Sequence, residues 1–320
     1  MKVIISRPIP DLAIQLIEQS GGQAEILSKP LNINTPGLKN ADALITMLSD
    51  CIDEAFLKTH SHLKCIANYA VGFNNIDVKT ANELGIKIGN TPNVLTHATA
   101  ELAFGLLHCV ARNIIPANQN ANNGEWKSWE PLGFLGTSLQ TKTIGIYGMG
   151  RIGAELAKMC FNAYKMSIIY TARQRKTQME RDFFAEKCSF EKLCQWSDII
   201  SIHCPLSEET REVFNQEAFQ KMQKKPIIIN TARGEIIHQP SLVEALKSGW
   251  IRGAGLDVTT PEPLPPSHEL FQFKNVVITP HIGSATQKAR EDMAELAAKN
   301  VIAAIEGKPM PAPVLLTNSQ

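Results

Sequence analysis

Midway along the chain an apolar, β-branched run, Thr143-Ile-Gly-Ile-Tyr147, passes without a spacer into Gly148-Met-Gly150-Arg-Ile-Gly153. A helical pattern then continues to Tyr164. Three glycines at this spacing, between a strand and a helix, leave few arrangements open. Gly148 suits a tight turn, Gly150 lets the backbone come close to a bound group, and Gly153 lets the helix close onto the strand. The start of such a helix presents free N–H groups and a partial positive charge, which suit an anion. Glycines also mark ordinary turns, so the weight lies in the flanking strand and helix. Together they predict a βα unit of a parallel sheet that receives a dinucleotide pyrophosphate. Nearly half of the chain precedes this turn, so a separate structure is expected before it.

The rest of the chain repeats the theme. Short apolar runs alternate with helical patterns at Val3–Ile5, Ala43–Thr46, Cys65–Tyr69 and Ile86–Ile88, and again from Ile144–Tyr147 through Ser167–Tyr170, Ile199–His203, Ile227–Asn230, Gly253–Leu256 and Val276–Thr279. The runs lack internal alternation, as expected of strands covered by helices on both faces. Two sets of strands predict two doubly wound parallel α/β sheets, and 320 residues suffice for two domains. A boundary is expected near Pro92–Thr99, followed by one helix from Thr96 towards Ala121. The stretch from Asn122 to Thr141, with Trp126, Trp129 and several glycines, reads as an ordered excursion. A long amphipathic helix is expected from about Ala285 to Glu306. Its pattern alone leaves open which domain it joins.

Composition narrows the function. A net charge of +1 gives no electrostatic case for nucleic acid or an anionic membrane. The Met1–Ser6 run reads as a strand rather than a signal peptide, and no apolar run approaches the roughly 20 residues of a membrane span. Seven cysteines without a CxxC pair point to a reducing, cytoplasmic setting. Cys51, Cys65, Cys109 and Cys160 read as small core residues. His203-Cys204 has no second ligand pair at metal spacing, so no metal is expected.

Five segments, taken in order, resemble one family. Ala70-Val-Gly72-Phe-Asn-Asn-Ile-Asp77 is similar to its substrate loop and Gly148–Gly153 to its cofactor turn. Asn230-Thr-Ala-Arg233-Gly234, Gly255-Leu-Asp257-Val-Thr-Thr-Pro-Glu262-Pro263 and Thr279-Pro-His281-Ile-Gly-Ser284 are similar to its catalytic segments. Along essentially its whole length the chain resembles the D-2-hydroxyacid dehydrogenases. Thr259–Pro265 and Pro280–Thr286 most resemble the glyoxylate/hydroxypyruvate reductases among them. The resemblance implies two Rossmann-like α/β domains with the active-site cleft between them. It implies a discontinuous substrate domain, residues 1–96 plus 286–320, joined by the C-terminal helix, and a dinucleotide domain, residues 97–285. It also implies a homodimer that embraces through the Gly124–Gly136 excursion, with Trp129 reaching the neighbouring active site as an aromatic wall. Alternatives are a dehydrogenase for another 2-oxo acid and, in a different class, a cofactor-sensing scaffold of the corepressor type.

Hydride transfer to C2 of a 2-oxo acid needs the carboxylate fixed, the carbonyl polarised and a proton delivered. Arg233 follows a strand's carboxyl end, where open α/β sheets bind ligands, and a guanidinium can span carboxylate and carbonyl oxygens. Alone it would read as a surface arginine; within the motif it reads as catalytic. His281 is the expected proton donor. Glu262 is its expected partner, a carboxylate that stabilises and orients the imidazolium. His97 and His268 read as structural. Val71 and Gly72 are expected to offer backbone N–H groups to the carboxylate. By resemblance, Asp257 binds the nicotinamide carboxamide. Also by resemblance, Thr99, Arg151, Ile152, Pro205, Thr210, Thr231, Ala232, Gly283 and Ser284 line the cofactor.

The second strand beyond the glycine turn normally carries an acid for the ribose hydroxyls. Ile169-Tyr-Thr-Ala-Arg173-Gln-Arg175-Lys176 has none and carries three cations. A 2′-phosphate would be attracted there, so NADPH is expected ahead of NADH. The expected reaction is reduction of glyoxylate and hydroxypyruvate to glycolate and D-glycerate.

Overall fold

Apolar runs with no polar face can be buried only within a sheet that helices cover on both sides, and they become parallel strands here. The structure, a computed structural model, describes residues 1–315. The chain divides into two compact units, one formed by Met1–Leu95 with the described chain from Ser284 onward, the other by Thr96–Gly283.

The first unit carries β1 (Lys2–Ile5), β2 (Gln23–Ile26), β3 (Ala43–Thr46), β4 (Cys65–Asn68) and β5 (Lys87–Gly89). All pair in parallel in the order β2-β1-β3-β4-β5. Ile4, Leu44, Ile66 and Ile88 extend from the strands into a core shared with Leu38, Phe56 and Leu57. The helix Gln287–Ile305 packs on helix Leu12–Gln19 and on β3, β4 and β5. Asp77, the last residue of the substrate-loop motif, accepts from Thr80 N at 3.0 Å and so starts the helix Val78–Glu83.

The second unit carries β6 (Thr143–Tyr147), β7 (Ser167–Thr171), β8 (Glu186–Lys187), β9 (Ile199–Ile202), β10 (Ile227–Asn230), β11 (Gly253–Leu256) and β12 (Val276–Ile278). Their order is β12-β11-β10-β9-β6-β7-β8, again all parallel. The chain runs outward from β6 through β7 to β8, then returns to β9 on the other side of β6. That reversal is a topological switch point, where ligands bind outside the carboxyl ends of strands.

Three expectations need correction. β2 and β8 escaped the sequence pattern, because both are polar edge strands with little buried surface. The helix from Thr96 stops at Ala111; Asn113 turns left-handed at φ 51° and a second helix runs Ile114–Asn122. Asn tolerates that conformation, which is why the apolar pattern passed over it. Cys51 is exposed rather than a core residue, Cys109 is half-buried, and Cys65 and Cys160 are buried. Residues 123–142 form neither helix nor strand. The excursion returns through Gly136, where a Cβ would lie 2.3 Å from Ala111 O. Trp126 and Trp129 are left 72% and 83% exposed. Among the described residues, no helix is long and apolar enough to cross a membrane.

Candidate active site

All seven strands of the second unit end on one edge of the sheet, so the segments that follow them share that edge. After β6, Gly148 takes φ +100° and donates its N–H to Thr171 O at 2.9 Å. A Cβ on Gly148 would lie 2.4 Å from Cys204 N, and one on Gly153 would lie 2.6 Å from Gly148 O. Both glycines are therefore required by close backbone approach. Gly150 differs: a Cβ there would meet nothing within 4 Å. Its missing side chain leaves open space at the start of helix Arg151–Tyr164, with exposed Arg151 and half-buried Ile152 following. At the end of β10, the buried Thr231 Oγ1 has no hydrogen-bond partner. An open cradle at a helix N-terminus and an unpartnered buried hydroxyl fit a dinucleotide.

The loop after β9 is more self-contained. Thr210 Oγ1 donates to Pro205 O at 2.8 Å and accepts from Ser207 N at 2.8 Å. That hydroxyl serves to shape the loop. His203 Nε2 pairs with Ser201 Oγ at 2.8 Å, and burial pushes its pKa down to about 3, so the imidazole is neutral.

The turn after β7 treats its three cations differently. Glu180, on helix Thr177–Phe183, takes the Arg175 guanidinium through Nε at 3.1 Å and Nη2 at 2.8 Å. The same carboxylate accepts from the buried Tyr170 hydroxyl at 2.6 Å, and Tyr170 Oη accepts from Lys176 N at 2.7 Å. Arg175 is thus spent on an acid that lies just past the segment read for one. Arg173 and Lys176 form no ion pair among the described residues.

The segments expected to be catalytic follow β10, β11 and β12. Asn230 Oδ1 accepts from Ala232 N at 3.0 Å and its amide donates to Arg233 O at 2.9 Å, which fixes the turn bearing Arg233. A Cβ on Gly234 would lie 2.1 Å from Thr259 O. Glycine there lets the loop after β11 lie against the Arg233 turn. The guanidinium donates to Ala232 O at 2.6 Å. Burial lowers its pKa, while Glu262 and Glu235 act in the opposite direction. His281 Nδ1 meets Glu262 Oε1 at 2.6 Å. Asp257 is buried at the end of β11, and its carboxylate accepts from Thr279 Oγ1 at 2.6 Å, Ile282 N at 2.8 Å and Gly283 N at 2.8 Å. Its carbonyl accepts from His281 N at 3.0 Å. Asp257 therefore holds the whole His281 loop, a role that sequence reading missed. Thr99, near the start of helix Thr96–Ala111, is buried, with Cγ2 3.3 Å from where a Gly283 Cβ would be.

The structure thus gathers Arg233, Glu262, His281, Asp257 and Gly283 in one unit. Val71 and Gly72 lie on the other, after β4, and Ser284 opens the segment that returns to that unit. His97 pairs with Glu155 at 3.3 Å, and His268 Nδ1 accepts from Leu270 N at 3.2 Å, so both have structural partners.

Residues 104–283 match the family model for the D-isomer specific 2-hydroxyacid dehydrogenase, NAD binding domain. The chain is 46% identical over 315 residues to a glyoxylate reductase of Thermococcus litoralis, covering 96% of this chain and 94% of the relative. Among solved structures it is similar to the TT0316 protein of Thermus thermophilus, with 41% identity, TM-score 0.91, and coverage of 98% and 100%. It is also similar to an NADPH-dependent glyoxylate/hydroxypyruvate reductase of Sinorhizobium meliloti in complex with NADP and malonate. There the identity is 26%, the TM-score 0.86 and the coverage 98% and 96%.

Proposed function

The chain belongs to the D-isomer-specific 2-hydroxyacid dehydrogenases, and we propose that it reduces glyoxylate and hydroxypyruvate to glycolate and D-glycerate, with NADPH preferred to NADH. The observation that carries this is the 2.6 Å contact of His281 Nδ1 with Glu262 on the same sheet edge as Arg233. A carboxylate bound to Nδ1 orients the ring, leaving Nε2 as the nitrogen that delivers the proton. Arg233 polarises the carbonyl and stabilises the alkoxide as charge develops on it. Val71 and Gly72 supply N–H groups to the substrate carboxylate.

The Gly148–Gly153 turn, with Arg151, Ile152, Thr99, Pro205, Thr210, Thr231, Ala232, Asp257, Gly283 and Ser284, would hold the dinucleotide. When bound, that group supplies the hydride received at C2. Asp257 Oδ2 accepts from Gly283 N and keeps capacity for a second donor, the carboxamide. The preference for NADPH rests on Arg173 and Lys176, since Arg175 is engaged by Glu180. In this reading the unit built on β1–β5 binds substrate, the unit built on β6–β12 binds the dinucleotide, and two copies form a homodimer.

Initial rates with a panel of 2-oxo acids, each with NADPH and NADH, test the proposal. Glyoxylate and hydroxypyruvate are expected to give the highest kcat/KM, and NADPH to exceed NADH by roughly tenfold, the yield of about 1.4 kcal/mol from the remaining cations. Equal constants for the two cofactors, or a bulkier 2-oxo acid ranking first, would overturn the corresponding part.

A further inference from the structure

Three successive carbonyls in the Ala70–Gly72 loop are tied down. Ala70 O accepts from Thr91 N at 2.9 Å. Val71 O accepts from Asn90 Nδ2 at 2.8 Å, and Gly72 O from Asn68 Nδ2 at 2.7 Å. A trans peptide is planar, with its N–H directed opposite to its C=O, and no cis bond occurs in this loop. Anchoring these carbonyls therefore turns the N–H groups of Val71, Gly72 and Phe73 away from the anchors. None of the three donates to an acceptor among the described residues.

The anchors are themselves fixed. Asn75 Nδ2 donates to Met47 O and Asp50 O, both at 3.0 Å, so its Oδ1 is left to accept Asn68 Nδ2 at 3.1 Å. That network sets which way the Asn68 amide faces. Asn90 N donates to Ala312 O at 3.2 Å, and Asn90 O accepts from Asn300 Nδ2 at 3.0 Å. Asn300 Oδ1 accepts from Ala312 N at 3.0 Å. A Cβ on Gly89 would lie 2.8 Å from Asn300 Nδ2, so glycine at that position permits the approach.

We propose that Asn90, locked by Asn300, and Asn68, locked by Asn75, are positioning residues for substrate: they hold the loop carbonyls so that its N–H groups stay presented to a 2-oxo acid carboxylate. This rests on the substrate class given above. Both carboxamides act through the loop carbonyls they hold. Their contribution is to remove the entropy of aligning a flexible loop when the anion binds.

The test uses the full-length enzyme with Asn90→Ala and Asn90→Ser, and Asn68→Ser as a second site. Carboxylate binding is lost equally from ground and transition states, so KM for glyoxylate is expected to rise about tenfold while kcat changes less than about threefold. The dissociation constant of malonate, a carboxylate that does not react, should rise by a similar factor. The dissociation constant of NADPH, read by fluorescence, should stay within about twofold. General loss of structure would move all of these together and would overturn the positioning role. Unchanged glyoxylate and malonate constants in the variants of an active enzyme would overturn this inference alone. A wild-type enzyme that neither reduces a 2-oxo acid nor binds malonate would overturn the substrate reading, and this inference with it.

Discussion

His281 sits in the left-handed backbone region at φ +53°, which an L-residue rarely occupies and which costs of order 1 kcal/mol or more. It persists because Asp257 determines the loop from three sides, accepting from Thr279, Ile282 and Gly283. The distortion brings the imidazole to Glu262. Reduction consumes a proton, and His281 is the group proposed to deliver it. His281→Ala should lower the rate by roughly 10²–10⁴. Glu262→Gln removes the carboxylate that orients the ring through Nδ1, so kcat for glyoxylate should fall by roughly tenfold or more while the NADPH dissociation constant stays within about twofold. A Glu262→Gln enzyme with unchanged kcat would exclude this role for Glu262.

At the scale of elements, the turn after β7 sets which cations are left without an acidic partner. Glu180 neutralises Arg175 and, through the buried Tyr170 hydroxyl, ties down the Lys176 backbone. Arg175→Ala should therefore leave NADPH affinity within about twofold, whereas Arg173→Ala should weaken it several-fold and spare NADH. Glu180→Gln releases one cation near the same strand end and should tighten NADPH several-fold. The double variant Glu180→Gln/Arg175→Ala should return towards wild type. Binding titrations in which Arg175→Ala costs as much as Arg173→Ala would show that Arg175 reaches the 2′-phosphate despite Glu180.

What could be read beforehand follows from where the information lies. Both-face burial writes β3, β6 and β10 into the sequence as apolar runs, and the glycine turn is local, so these were legible. β2 and β8 are polar edges and left no such trace. Arg233, Glu262 and His281 are single residues in distant segments, recognisable only through motifs. What brings two of those segments together is Gly234 lying against Thr259, a tertiary contact with no sequence period. Asn68 and Asn90 gave no signal at all, because such carboxamides show their purpose only in the carbonyls they hold.

For the whole molecule, the 123–142 excursion carries Trp126, Trp129, Leu132 and Leu135 at 67% exposure or more. A Trp129 packed within its own chain is inconsistent with 83% exposure. A tryptophan offers on the order of 200 Å² for burial, worth roughly 5 kcal/mol at about 25 cal/mol/Å². In the homodimer proposed above, these exposed apolar side chains are the expected contact surface. A second copy of this chain is the expected occupant, given the dimeric family the chain resembles. Light scattering should give about twice the 35.2 kDa of one chain. If Trp129 completes the partner's site, Trp129→Ala should raise kcat/KM for a bulky 2-oxo acid such as phenylpyruvate relative to glyoxylate, because an aromatic wall has been removed. Its NADPH dissociation constant should stay within about twofold, since no cofactor contact is assigned to that side chain. A fully active monomer would exclude the shared site. A dimer whose substrate ranking ignores Trp129→Ala would confine that tryptophan to the interface.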